Sequence, residues 1–218
     1  IFAFLNYLPY SKHFHIILAF PNTYYANLEA KGRFENNAAV TKEVALMMDP
    51  SADPFAAPAP DADAPIERFG AKDANDLSWA NLLNAYTCTE CGRCTSECPA
   101  NLTGKKLSPR KIMMDTRDRI EEIGQNIATN GSFLDDGKSL LGDYITNEEL
   151  WACTSCNACV QACPVDIDPL NIIMKLRNFA TMEESSAPGA LNAMMTNVEN
   201  NGAPWPFNQM DRANWINE

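Results

Sequence analysis

The chain is short of several things at once. It has no uninterrupted apolar run of the about 20 residues that a membrane-spanning helix needs. It has 17 Lys and Arg against 28 Asp and Glu, for a formal net charge of −11. A general nucleic-acid binder needs the opposite excess, to displace phosphate counterions, so that class is excluded. No glycine-rich phosphate loop and no Ser-His-Asp set are present, and neither nucleotide nor acyl-transfer chemistry is written in the chain. Eight cysteines in 218 residues fall short of a small disulfide-stapled scaffold, which runs above about 8–10% Cys. Hairpin pairs and β-branched alternation are scarce, so a mainly α fold is expected. What is there is 46% hydrophobic residues and a mean hydropathy of −0.26. That is enough apolar material for a core in a mostly water-soluble chain.

The first residue is Ile1 rather than Met, and neither the charged start nor the cleavage site of a signal peptide follows. The chain therefore reads as a piece of a longer protein. Residues 1–20 are apolar but broken by Asn6, Ser11, Lys12, His13 and His15, as the last turns of a membrane helix would be. Residues 21–70 form a connection, with a short helix expected over Thr41 to Met48. Within it, 49–65 carries Pro50, Pro54, Pro58, Pro60 and Pro65 among alanines and aspartates, and reads as an extended linker. Helical signals dominate after residue 70. Asp76 precedes Leu77, Trp79, Leu82, Leu83 and Tyr86 on one helix face. Ser108-Pro109 opens a helix carrying Ile112, Met113, Ile120 and Ile123, with Gly124 as its stop. Thr146 to Glu149 is a capping box ahead of Leu150 and Trp151. Asp168-Pro169 opens the last helix, striped by Leu170, Ile173, Leu176 and Met182.

Two segments repeat each other. Cys88-Thr-Glu-Cys91-Gly-Arg-Cys94-Thr-Ser-Glu-Cys98-Pro99 matches Cys153-Thr-Ser-Cys156-Asn-Ala-Cys159-Val-Gln-Ala-Cys163-Pro164. The match continues from Ser108 to Arg117 against Asp168 to Arg177. Every cysteine of the chain lies in one of the two C-x2-C-x2-C-x3-C-P motifs. This spacing suits a [4Fe–4S] cluster: three thiolates on a wound loop each reach a different iron of one cube. In two-cluster proteins the fourth cysteine ligates the other cluster. The expected sets are Cys88, Cys91, Cys94 and Cys163 for a first cluster, and Cys153, Cys156, Cys159 and Cys98 for a second. The competing explanations are zinc and disulfides. Structural zinc takes paired ligands from two segments, which leaves a third cysteine at the same step idle. Disulfides need an oxidising compartment, which nothing here signals.

Charge differs between the motifs. Arg93 to Arg119 holds seven bases (Arg93, Lys105, Lys106, Arg110, Lys111, Arg117, Arg119) and three acids, whereas 150–164 has no charged side chain. Cations near a cluster raise its reduction potential; a solvated helix face explains the basic run equally well.

Cys98 and Cys153 stand 55 positions apart, far more than in a compact bacterial ferredoxin. The two motifs and the Pro-started helices resemble the α-helical ferredoxin family, as in the heterodisulfide reductase iron–sulfur subunit HdrC and the second half of the succinate dehydrogenase iron–sulfur subunit. The resemblance covers roughly residues 71–185 and implies a mainly α domain with two [4Fe–4S] clusters. The opening Leu8-Pro9-Tyr10-Ser11-Lys12-His13-Phe14-His15 resembles the end of the final membrane helix in cytochrome b proteins of the nitrate reductase gamma type. That resemblance implies a haem b with His15 as one axial ligand and Lys12 as the family lysine; the second imidazole has to come from another helix, outside this chain. Two interfacial histidines near lipid headgroups are the plainer alternative. Lys31 and Arg33 favour a cytoplasmic side for the soluble part. Residues 186–218, with Gly202-Ala-Pro-Trp-Pro206, resemble the segment after the second motif in membrane-bound oxidoreductases related to heterodisulfide reductase, where a cysteine-rich CCG-type region follows.

The function these features imply is electron transfer. The chain is expected to be an iron–sulfur component at the cytoplasmic face of the inner membrane. It would link a quinone or b-haem to a CCG-type catalytic partner, with no substrate-converting site of its own. A soluble ferredoxin-like carrier and a zinc-binding structural module are the alternatives.

Overall fold

Side-chain caps open five of the α-helices among the described residues. The computed structural model describes residues 1–11, 13–29, 32–34, 36–49 and 68–216. Lys12, Lys31 and the proline-rich stretch from Pro50 to Pro65 lie outside them. Among the described residues there are helices and turns but no strand. Contacts divide the chain into two units, residues 1–183 and 184–218.

The first unit begins with α1 (Phe2–Tyr7), a 3-10 turn over Leu8–Tyr10 and α2 (Phe14–Tyr24). Helix α3 (Ala38–Met48) starts three residues before the expected Thr41. Asn37 explains its start: its Oδ1 accepts from Val40 N–H, and its Nδ2 donates to Phe69 O at 2.9 Å. Among the described residues no helix is long and apolar enough to cross a membrane.

Helix α4 (Trp79–Thr87) is capped by Ser78, whose hydroxyl accepts from Asn81 N–H. Its buried side is Asn81, Ala85 and Thr87, with Leu82, Leu83 and Tyr86 half-buried. Trp79, expected on the inner face, is exposed; its ring meets Tyr25 edge-on at 5.0 Å, where α2 packs on α4. The one-turn helices α5 (Arg93–Ser96) and α6 (Pro99–Leu102) follow. Helix α7 (Pro109–Asn130) starts on the Ser108 cap as expected. It runs past Gly124, which faces solvent inside the helix, and ends where Gly131 takes φ 80° and donates to Ile127 O. Only a residue free to adopt φ > 0 closes that turn cheaply.

A wide turn at Leu140–Tyr144 leads to α8 (Asn147–Ala152), opened by the Thr146–Glu149 capping box. Helix α9 (Ala158–Gln161) is a single turn. Helix α10 (Pro169–Asn178) has Asp168 accepting from Asn171 N–H at 2.9 Å. Leu170, Ile173 and Leu176 are buried on it, whereas Met182 beyond it is exposed. The structural repeat is therefore longer than the sequence repeat. Each copy is a hydroxyl-capped helix (α4, α8), a cysteine loop, a one-turn helix (α5, α9) and a Pro-started helix (α7, α10).

The core lies between the copies. It includes Leu107, Ile112, Met113, Leu140, Ile145, Leu150, Ile172 and Ile173, all at 1% exposure or less. Each such side chain contributes about 1.5–3 kcal/mol relative to leaving it in water. Arg119, expected in the basic run around the first motif, is fully buried here. Its guanidinium donates to Asp73 at 2.7 Å, Asp136 at 2.6 Å and Lys138 O at 2.9 Å. Asp73 in turn accepts from the N–H groups of Ala74 and Leu140. A buried guanidinium is tolerated because its charge and donors are met.

The second unit is α11 (Gly189–Asn201), ended by Gly202 at φ 64°, and a 3-10 turn over Gln209–Ile216. Arg212 folds back to donate to Gly202 O at 2.6 Å. Trp205, Phe207, Met210 and Trp215 are exposed on it.

Candidate iron–sulfur site

The two cysteine loops share an unusual backbone. In the first, Glu90 has φ 60° and Gly92 φ 82°; in the second, Ser155 has φ 56° and Asn157 φ 62°. Left-handed residues thus flank the middle cysteine of each copy. Three of the four are not glycine, a conformation that costs energy and collects at functional sites. The effect is to curl the loop so that amides face its own first sulfur. Ser155 N–H lies 3.4 Å from Cys153 Sγ, and in the first loop the Glu90 N–H favours the Cys88 thiolate. Hydrogen bonds to ligating sulfurs are one of the means by which a protein sets a cluster's potential.

Cys98 and Cys163 follow α5 and α9, and these two short helices pack on each other. A small cavity of about 70 Å³ is lined by Cys88, Cys91, Cys94 and Cys163, and Cys159 also reaches it. Burial pushes the Cys88 thiol up, and Cys94 and Cys163 push it further, against the Glu90 N–H and Arg117. Burial likewise raises Cys94, with Cys163 and Cys91 adding to it. In the second loop burial raises Cys153, with Cys98 and Cys156 adding to it. Burial, helped by Cys153, pushes Cys159 up to about 12. The thiols that feel one another therefore include Cys163 with Cys88 and Cys94, and Cys98 with Cys153. Cys91 and Cys156 are exposed, so each copy keeps one thiol at the surface.

All eight cysteines are free. Among the described residues no three His, Cys, Asp or Glu side chains close on one point as ligands of a single ion would. A tetrahedral zinc, with Zn–S of about 2.3 Å, needs sulfurs about 3.8 Å apart. A cube of four irons takes each thiolate at a separate metal. The buried Trp151 Nε1, two residues before Cys153, finds no acceptor among the described residues. A buried donor beside the second loop fits a site that brings its own sulfur acceptors.

His15 lies on half-buried α2, and with Ala19 it lines the cavity of the first cysteine group. His13 is exposed at the start of α2. No feature of the sequence tied α2 to the cysteines; the link is Asn22. This residue is 5% exposed, and its Nδ2 donates to Val165 O at 2.8 Å, two residues after Cys163.

Residues 87–167 match the family model of the 4Fe-4S dicluster domain, which implies two iron–sulfur clusters. The whole chain is similar to longer oxidoreductases. The probable iron-sulfur-binding oxidoreductase FadF of Bacillus subtilis is 31% identical over 99% of this chain and 32% of its own length. The EtfAB:quinone oxidoreductase of Syntrophomonas wolfei is 28% identical over 100% of this chain and 30% of its own. The HdrC component of the ferredoxin/F(420)H(2)-dependent CoB-CoM heterodisulfide reductase of Methanosarcina acetivorans is 31% identical over 50% of this chain and 54% of its own. The chain thus spans about a third of the first two relatives. The cysteine domain is distantly homologous to HdrC.

Proposed function

We propose that this chain is the electron-transfer part of a membrane-bound oxidoreductase. It would carry electrons between a membrane quinone or b-haem and a cysteine-rich catalytic partner at the cytoplasmic face. The observation that carries this reading is the duplicated loop, with its paired left-handed residues and with Cys163 acting on Cys88 and Cys98 on Cys153. Cys88, Cys91, Cys94 and Cys163 hold the first [4Fe–4S] cluster; Cys153, Cys156, Cys159 and Cys98 hold the second. When bound, the clusters supply one-electron transfer.

The chain's own residues do the rest. The curled loops aim amides at sulfur, and the surrounding core buries Cys98 and Cys159 and partly covers Cys88, Cys94, Cys153 and Cys163. Buried neutral thiols must lose their protons when iron binds, so assembly releases protons and weakens as pH falls. Cys91 and Cys156 are the exposed edges through which electrons enter and leave. The quinone link rests on the name of the Syntrophomonas relative and on the exposed apolar residues of α1 and α2, among them Phe2, Leu5, Ile16, Ile17 and Phe20. The exposed aromatics of residues 205–215 are assigned to docking the catalytic partner.

Haem fits the described residues poorly. They supply one half-buried imidazole, His15, set against the cysteine cavity, and a second axial ligand would have to come from outside this chain.

The test is the purified, anaerobically prepared protein. Absorption near 400 nm that bleaches with dithionite, with about eight irons per chain for two four-iron clusters, is expected. A colourless protein carrying stoichiometric zinc would sink the reading.

A further inference from the structure

The repeat places one arginine at the same point of each copy. Arg117 on α7 and Arg177 on α10 both stand nine residues after the helix cap, and both reach back to the third residue of their cysteine loop. In the first copy that residue is Glu90, and Arg117 Nη2 lies 2.7 Å from its carboxylate. In the second copy it is Ser155, whose hydroxyl accepts from Arg177 Nη1 at 3.3 Å. Arg177 also meets other uncharged groups: Leu150 O at 2.8 Å, Cys153 O at 2.6 Å and the Trp151 ring at 4.9 Å. Carbonyls satisfy the donors of a guanidinium but leave its charge in place.

The two arginines therefore differ in whether a carboxylate of their own loop pairs them. Arg117 and Glu90, each under 20% exposed, cancel one another beside Cys88. Arg177 stays positive beside Cys153, and burial, which opposes its charge, is the largest influence on it. A cluster becomes one unit more negative when reduced. A fixed positive charge held in a medium of low dielectric stabilises that state and raises the potential. Other charges act at both sites. Arg93 and Arg110 line the first cavity but are exposed, where solvent and salt screen them. Asp168, which stands where the first copy has Ser108, acts on Cys159 with the opposite sign and offsets part of the Arg177 contribution at the second site.

We propose that Arg177 is a positioning and tuning residue that raises the reduction potential of the second cluster. At the first site Glu90 cancels the equivalent effect of Arg117. The exchange of Glu90 for Ser155 is then one place where the two copies are told apart. This inference rests on the two-cluster reading above.

The experiment is a redox titration of the full chain followed by electron paramagnetic resonance, with each cluster's midpoint potential read separately. Arg177→Gln lowers the potential of the second cluster and leaves the first in place. Arg177→Lys keeps the charge and restores most of the shift, which a purely structural role would not do. Ser155→Glu supplies the missing carboxylate in a conformation that Glu90 already adopts, and it also lowers the second potential. Glu90→Gln uncovers Arg117 and raises the first. Equal shifts for Arg177→Gln and Arg177→Lys, or no shift in Ser155→Glu and Glu90→Gln, overturn the proposal. A wild-type protein that shows no pair of cluster signals instead overturns the two-cluster reading.

Discussion

Removing the Asn22 amide tests whether α2 belongs to the first redox centre or only lies beside it. Asn22 is the one nearly buried polar side chain of α2, and its bond to Val165 O spans 143 residues of sequence. Asn22→Ala deletes the donor and leaves a carbonyl in a part-buried place without its partner. Such an orphan costs about 1–3 kcal/mol. At about 1.4 kcal/mol per factor of ten, local opening of the Cys163–Val165 turn becomes about 5- to 140-fold more frequent. Since that turn carries Cys163, the first cluster is expected to lose iron to a chelator faster by a similar factor, with the second cluster nearly unchanged. The assay follows the two clusters separately by electron paramagnetic resonance after timed chelation. Hydrogen exchange at residues 163–167 gives an independent reading. Tyr25→Leu is the control, because it loosens the α2 contact at Trp79 without touching Val165. If Tyr25→Leu speeds iron loss as much as Asn22→Ala, or if both clusters suffer alike, Asn22 acts only through general stability and the reasoning fails.

Four further substitutions follow from the packing and the ligand sets. Cys98→Ser is expected to damage the cluster of Cys153, Cys156 and Cys159, and Cys163→Ser that of Cys88, Cys91 and Cys94; damage confined to the motif mutated would refute the crossed sets. Arg119→Met leaves Asp73 and Asp136 facing each other and should cost about 3–5 kcal/mol, or about 6–20 °C in thermal midpoint by circular dichroism at the usual proportion for this size. The Arg119 hydrogen bond draws the Asp136 carboxyl down to about 2, below its ordinary value of about 3.9. Its contribution is therefore present above about pH 4 and lost as pH falls toward 2; urea midpoints of wild type should drop across that window and those of Arg119→Met should drop less. Gly70→Ala sets a Cβ against Phe179 N and Lys175 O and should part the Ala71–Lys175 hydrogen bond of 3.0 Å, costing about 1–3 kcal/mol. An unchanged midpoint would mean that this approach is not tight in solution.

What the sequence made legible was local. Ser108-Pro109, Thr146 to Glu149 and Asp168-Pro169 mark their helices because a cap and its partner lie within three residues of each other. Gly124 misleads for the same reason in reverse: glycine is a weak stop when the turn remains hydrogen-bonded, and the chain waits for Gly131, where φ 80° is required. Trp79 and Arg119 were placed wrongly because their partners are distant. Tyr25 is 54 residues upstream of Trp79, while Asp73 lies 46 residues before Arg119 and Asp136 17 after it. No composition window contains those pairs, so a buried guanidinium looks like one more surface base.

The dicluster domain was legible because the cysteine spacing repeats, and the aligned arginines were legible as part of that repeat. The meaning of Glu90 against Ser155 was not, although both stand in plain view between matched cysteines. It requires knowing that Arg117 and Arg177 swing back to those positions. A duplicated site advertises what its copies share, which here is the capacity to hold iron. Directional electron transfer needs the copies to be unequal, and Glu90 against Ser155 is the proposed source of one such inequality, through an arginine that arrives from 27 residues away.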